Sequence, residues 1–169
     1  MGIFSTKKTP LEIFTDGSHD KLGDSDHRGF GAYCKINGDE YFLSGTTDIK
    51  KVRDFYLKKG EIVEISNPTM EFIAVTKTLE YFINSDEDIL LILDYNGIEK
   101  WVNGEWKAKK IYINDLLVKC KKQISQIEDN GGSVNFKWVK GHSGVYGNDQ
   151  ADKYARLGTN STNFDKIFK

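Results

Sequence analysis

Four carboxylates stand at places where a hydrophobic core gives no reason for an acid. Asp16 follows Ile13-Phe14-Thr15 and precedes Gly17-Ser18, Glu71 ends Asn67-Pro68-Thr69-Met70-Glu71, and Asp94 closes the apolar run Ile89-Leu90-Leu91-Ile92-Leu93. Asp152 ends the stretch Gly141-His142-Ser143-Gly144-Val145-Tyr146-Gly147-Asn148-Asp149-Gln150-Ala151-Asp152. Taken singly, each has an ordinary role as a turn residue, a partner of a helix dipole or a surface charge. Taken together they point elsewhere. Asp16 and Asp94 both end apolar strands and become neighbours if those strands pair. Ligands of open α/β sheets gather beyond strand ends and near helix starts. Clustered carboxylates repel one another, and they persist where hard divalent cations neutralise them with oxygen ligands.

The elements that must position these acids follow from periodicity. Leu11 to Phe14 predicts a strand, with Glu12 facing away from Leu11 and Ile13. Phe30 to Ile36 and Glu40 to Ser44 predict two more around Asn37-Gly38-Asp39, because Asn-Gly between such runs signals a hairpin. A polar loop spans Ser18 to Gly29. In the stretch from Thr46 to Ile65, Val52, Phe55, Tyr56 and Leu57 suit a short helix, and Glu61 to Ile65 alternates like a strand. Asn67 and Pro68 suit an N-cap and first helical position, and Phe72, Val75, Leu79, Phe82 and Ile83 continue at helical spacing. Ile89 to Leu93 is a strand covered on both faces. A short helix over Gly97 to Val102 follows, then a longer one marked by Ile113, Leu116, Leu117, Cys120, Ile124 and Ile127 and ended by Gly131-Gly132. Val134 to Val139 is the last strand and Asn148 to Leu157 the last helix, closed by Gly158. The expected fold is a single α/β domain over residues 1–169, core about 11–158, with a five-stranded mixed sheet flanked by helices. The polar tail from Thr159 to Lys169 is expected to fray.

Bulk properties narrow the function classes. No apolar run reaches the roughly 20 residues of a membrane span. The start Met1-Gly2-Ile3-Phe4-Ser5-Thr6-Lys7-Lys8 has no secretory pattern, so an intracellular protein, cytoplasmic or nuclear, is expected. Cys34 and Cys120 have no partner spacing and are expected to be buried thiols in a reducing compartment. Net charge is −1, which argues against a protein that grips nucleic acid with its whole surface. Residues 1–94 hold 11 Lys/Arg and 17 Asp/Glu, net −6, whereas residues 95–169 hold 13 and 8, net +5. An acidic, metal-suited half beside a basic half is compatible with nucleic-acid binding.

The last motif is specific. Phe136-Lys137-Trp138-Val139-Lys140-Gly141-His142-Ser143-Gly144, continued through Gly147 to Asp152, closely resembles the final motif of type 1 ribonucleases H. Thr15-Asp16-Gly17-Ser18 and Met70-Glu71 resemble the first two motifs of that family, and Asp94 the third, with Tyr95 where the family usually has Ser. The resemblance implies a ribonuclease H-like fold. It also implies a metal-dependent endonuclease that hydrolyses the RNA strand of RNA–DNA hybrids to 5′-phosphate and 3′-hydroxyl ends. Two Mg²⁺ ions, or Mn²⁺, about 4 Å apart would flank the scissile phosphate. Asp16 would bridge them, Glu71 and Asp94 would hold one, and Asp152, not Asp149, would bind on the water side. His142 would assist proton transfer and product release.

The resemblance also nominates Gly17, Ser18, Asn67, Asn96, Trp101 and Asn148 as substrate-binding residues, with Glu71 and main-chain groups near Gly17 and Ser18 reading the 2′-hydroxyls. Pro68 replaces a second Asn often found beside Asn67. Trp101 and Trp106 fall where the family tracks the DNA strand, and core anchoring is the alternative for both. The Lys107 to Lys110 stretch stands in place of a larger basic handle, no N-terminal hybrid-binding module is expected, and the expected unit is a monomer. A DNA-directed nuclease on the same fold and an inactive hybrid-binding module are the competing readings.

Overall fold

Five consecutive apolar residues make β4 (Asp88–Leu93) the spine of the sheet, because its side chains are covered on both faces. The computed structural model describes residues 8–18 and 26–168. β4 pairs in parallel with β1 (Leu11–Gly17) on one side and β5 (Ser133–Trp138) on the other. β1 pairs antiparallel with β2 (His27–Ile36), β2 with β3 (Asp39–Asp48), and β3 with a two-residue β6 (Ser161–Thr162). The order is β5-β4-β1-β2-β3-β6. Asn37 and Gly38 make the hairpin turn with φ of 52° and 86°, the primed geometry that matches strand twist.

Helices cover both faces. α1 (Ile49–Leu57) and α2 (Asn67–Leu79) follow β3, α3 (Gly97–Val102) and α4 (Ile111–Asp129) follow β4, and α5 (Tyr146–Leu157) follows β5. Ile13 faces Cys34 and Leu91 across the strands, and these pack with Phe72, Val75 and Leu79 of α2 in one buried core. α5 lies on the opposite face, burying Ala151 and Ala155 and setting Gly147 against the Phe14 ring. α2 and α4 run parallel: Tyr112 Oη donates to the Glu64 carbonyl, Gln123 Nε2 to Thr76 and Asn130 Nδ2 to Ile83. Their N-termini therefore open at the same end of the domain.

Four details differ from the sequence reading. The sheet has six strands rather than five, because the tail does not fray. Thr162 pairs with Leu43, Asn163 Oδ1 accepts the Phe42 N–H at 2.7 Å, and Phe164 is fully buried against Tyr81 and Phe82. β3 runs four residues further, to Asp48, whose carboxylate caps α1 by accepting the Lys51 N–H. Residues 61–65 form no strand among the described residues, since Glu61 instead turns to α4 and accepts the N–H groups of Ile111 and Tyr112 at 2.7 and 2.9 Å. Ser66, not Asn67, is the N-cap of α2, with Pro68 in its first turn, and the helix ends at Leu79 with Phe82 in the turn beyond. Cys34 and Cys120 are buried and unpaired, as expected.

Candidate active site

Parallel pairing of β1 with β4 brings the first two acids together. Leu11 faces Ile89 and Phe14 faces Ile92, so the same register carried two residues further sets Asp16 opposite Asp94. The N-terminal half of α2 brings Glu71 over the same strand end. A Cβ on Gly17 would lie 2.5 Å from the Met70 backbone and 2.7 Å from the Glu71 N, so only glycine lets helix and strand approach this closely. Carboxylate oxygens of Asp16, Glu71 and Asp94 lie within 4.8 Å of one another. The Gly17 N–H donates to Asp16 Oδ1 at 2.9 Å and to Glu71 Oε1 at 3.2 Å. Glu71 Oε2 is buried with no donor facing it.

The electrostatics follow from burial. Asp16 is 5% exposed and Glu71 2%. Burial, more than any other cause, pushes the Asp16 carboxyl up to about 7, and the nearby charges of Asp94 and Asp152 add to it while the Glu71 hydrogen bond opposes it. Glu71 is held well above the ordinary carboxylate range, by burial first and then by Asp16 and Asp94. Both acids therefore hold their protons more tightly than ordinary carboxylates until a cation offsets their charge. Three acids offering only oxygen, one of them with an orphan buried oxygen, suit hard divalent cations rather than zinc or copper.

The remaining expected residues fall around this centre. Asp152, on α5, is half-buried and close enough to raise the Asp16 pKa, but it is not one of the three converging acids: its carboxylate is ion-paired to Arg156 at 3.0 Å. Asp149 is exposed. His142 is exposed in a tight turn with φ of 55°, and the turn leaves from Asp94, since a Cβ on Gly141 would lie 2.9 Å from Asp94 Oδ2. Trp138 Nε1 donates to the Asp94 carbonyl at 3.0 Å and steadies that strand end from β5.

Gly17 and Ser18 spend their N–H groups inside the protein, the latter on the Gly29 carbonyl, so neither N–H is open to a ribose. Asn96 is exposed at the start of α3. Trp101 is half-buried, stacked on Phe72 at 5.7 Å and 16°, with Trp106 edge-on to it at 5.9 Å. Asn148 is buried and its Oδ1 has no partner. Asn67 begins α2, and its side chain lies outside the described residues. The sequence missed three supports: Gly141 against Asp94, Trp138 on the Asp94 carbonyl and Arg156 on Asp152. Only the last had a signal, the i,i+4 spacing.

A mixed sheet of this order, with acids converging beyond the ends of its first and fourth strands and helices on both faces, defines an α/β nuclease-type domain suited to divalent cations. The RNase H family model matches residues 8–160. The chain is 32% identical over 170 residues to ribonuclease HI of Haemophilus ducreyi, covering 93% of this chain and 95% of that protein. It is 30% identical over 167 residues to ribonuclease H of Francisella philomiragia, covering 92% and 93%. Among solved structures it is similar to an RNase H1 from the halophilic archaeon Halobacterium salinarum, with TM-score 0.62, 16% identity and coverage of 89% and 97%. It is also similar to LC11-RNase H1 in complex with an RNA/DNA hybrid, with TM-score 0.63, 16% identity and coverage of 94% and 99%. The chain belongs to the RNase H family, as a type 1 ribonuclease H. Its activity is that family's: endonucleolytic hydrolysis of the RNA strand of RNA–DNA hybrids.

Proposed function

We propose that Asp16, Glu71 and Asp94, with Asp152 beside them, hold two Mg²⁺ ions, or Mn²⁺, against the scissile phosphate of a hybrid's RNA strand. The observation that carries this reading is the convergence of three carboxylates within 4.8 Å around a buried oxygen that no donor meets. Bound cations would neutralise the carboxylates, lower the pKa of the attacking water and offset charge on the departing 3′-oxygen.

The chain's own residues do the rest. The Gly17 N–H fixes one oxygen each of Asp16 and Glu71, which leaves the second oxygens for cations. Water oxygen attacks phosphorus, the bond from phosphorus to the 3′-oxygen breaks, and that oxygen takes a proton, leaving 5′-phosphate and 3′-hydroxyl ends. His142, exposed on its turn, would shuttle protons during this exchange through its imidazole. Glu71, which accepts the Gly17 N–H beside Ser18, would contact the ribose 2′-hydroxyl, since the two main-chain N–H groups are occupied. Asn67 and Asn96, at the starts of α2 and α3, are the proposed contacts to the RNA strand, and Trp101 with Trp106 would support the DNA strand. Asn148, buried in the first turn of α5 with no partner for its Oδ1, is the remaining substrate-binding candidate.

A monomer is the proposed active unit, since the three acids converge within a single domain. The two buried thiols fit a reducing intracellular compartment. Among the described residues no helix is long and apolar enough to cross a membrane. The test is a substrate panel in Mg²⁺: hybrid, duplex DNA, duplex RNA and both single strands, each end-labelled. Cleavage confined to the RNA of the hybrid is expected. Comparable cleavage of duplex DNA would overturn the substrate assignment.

A further inference from the structure

One cationic element lies outside the site described. Residues 49–60 hold Lys50, Lys51, Arg53, Lys58 and Lys59 against Asp54 alone, net +4. Without them the first 94 residues would hold 6 Lys/Arg against 16 Asp/Glu, so this is a basic island in an acidic half. α1 turns Ile49, Val52 and Tyr56 inward and leaves Lys51, Phe55 and Lys58 on one exposed stripe at i, i+4 and i+7. Phe55 is 53% exposed, with Lys59 Nζ over its ring at 4.4 Å from the centroid.

Topology places the start of α1 at the same end of the sheet as the acids. β1 and β3 both run antiparallel to β2, so β3 ends at the sheet edge where Asp16 and Gly17 lie, and α1 starts there. Its far end docks on the first turn of α4, where Tyr56 Oη donates to Asp115 Oδ2 at 2.7 Å and Glu61 takes two N–H groups. Immediately before that turn, Lys107, Lys109 and Lys110 border a cleft of about 620 Å³ with Trp101 and Trp106. The two stretches therefore make one cationic and aromatic ridge at the active-site end.

We propose that α1 is a second hybrid-binding surface, gripping backbone phosphates beyond the scissile one, with Phe55 against the apolar edge of a sugar between them. The proposal rests on the ribonuclease H reading of the acid site. A polyanion fits this ridge better than a protein surface, because residues 49–60 carry five cations and one acid and the exposed Phe55 ring is itself covered by an ammonium. Nine helical residues span about 14 Å, the axial length of about four base pairs at about 3.4 Å each. The added grip should therefore be felt by long hybrids and not by those that only cover the acids.

The test compares wild type with a variant carrying Lys51→Ala, Arg53→Ala, Lys58→Ala and Lys59→Ala. KM and kcat are measured in Mg²⁺ on 8- and 20-base-pair hybrids over a range of KCl. On the long hybrid, KM is expected to rise about tenfold and its logarithmic dependence on salt to flatten by about 2, since each lost phosphate contact removes about 0.9 from the slope. kcat, and both constants on the short hybrid, are expected to stay unchanged. If the fourfold variant loses its helical circular dichroism, Lys51→Gln with Lys58→Gln should show about half of the slope change. Equal KM and slope on the long hybrid, with cleavage intact, would overturn the proposal alone. A wild-type chain that cleaves neither hybrid would overturn the reading of the acid site beneath it. A concentration-dependent dimer that Phe55→Ser dissolves, with KM unchanged, would give the ridge to a second copy and also overturn the proposal.

Discussion

Replacing Asp16 by asparagine should stabilise the metal-free protein at neutral pH while abolishing cleavage. The amide keeps an oxygen to accept the Gly17 N–H and brings donors toward Glu71, so shape and hydrogen bonding survive. What disappears is a buried charge. The Asp16 carboxyl stands at about 7 in the folded protein against an ordinary 3.8. A carboxyl pKa raised by folding contributes stability that is fully present below about 4 and lost as pH climbs through about 7. At about 1.4 kcal/mol per pH unit, the metal-free wild type should lose up to about 4 kcal/mol over that window. The variant escapes most of this, although Glu71 remains buried. In EDTA at pH 8 it should therefore be about 2–4 kcal/mol more stable than wild type, or roughly 5–15 °C in Tm, and equal to it near pH 4. Urea unfolding followed by circular dichroism at pH 4, 6 and 8 measures this directly. Adding Mg²⁺ should erase that gap at pH 8, because ligand that binds only the folded wild type stabilises it by about 2.7 kcal/mol at a hundred times its Kd and about 4.1 kcal/mol at a thousand times. Parallel stability curves for the two proteins between pH 4 and 8, or a less stable variant at pH 8 in EDTA, would refute the argument that uncompensated charge is stored at this site.

Other variants probe the surrounding roles. Asp152→Asn should lower kcat at least a hundredfold more than Asp149→Asn, because Asp152 adjoins Asp16 whereas Asp149 is exposed; equal losses in a cleavage assay would disprove the register of α5. His142→Ala should slow turnover by about 10²–10⁴ without ending it, as expected for loss of a proton-transfer group, and a full loss would give His142 a larger part. Phe164→Ala should cost about 3–5 kcal/mol of stability in urea unfolding, since its ring is fully buried against Tyr81 and Phe82, with kcat unchanged; a neutral substitution would mean the tail is not part of the core.

The sequence made the catalytic end legible because strand ends are marked by composition. A continuous apolar run ending in an acid reveals both the strand and the place where it stops, and two such runs at Asp16 and Asp94 required only parallel pairing to become neighbours. The Asn37-Gly38 hairpin was equally local. The parts that were not legible depend on distant partners. Ser161–Thr162 is too short to alternate, and Phe164 becomes a core residue only because Tyr81 and Phe82 leave it a place. Glu61 looked like one member of an alternating strand, yet its carboxylate is spent capping a helix 50 residues away. The approach of α2 to β1 at Gly17 likewise appears only once helix and strand are packed, since glycine before serine reads as a simple turn. Asp152 is recognisable from its motif, and its i,i+4 spacing to Arg156 is the one local signal of the ion pair that sets it apart from the three acids that converge.

Metal-dependent cleavage by the acid cluster is most directly tested with a hybrid whose RNA strand alone carries a 5′ label. Wild type and Asp94→Asn would each be incubated with it in Mg²⁺ and in EDTA. Wild type with Mg²⁺ should cut the RNA internally to fragments ending in 3′-hydroxyl, and neither wild type in EDTA nor Asp94→Asn in Mg²⁺ should cut it. Undiminished cleavage in EDTA, or by Asp94→Asn, would contradict the account.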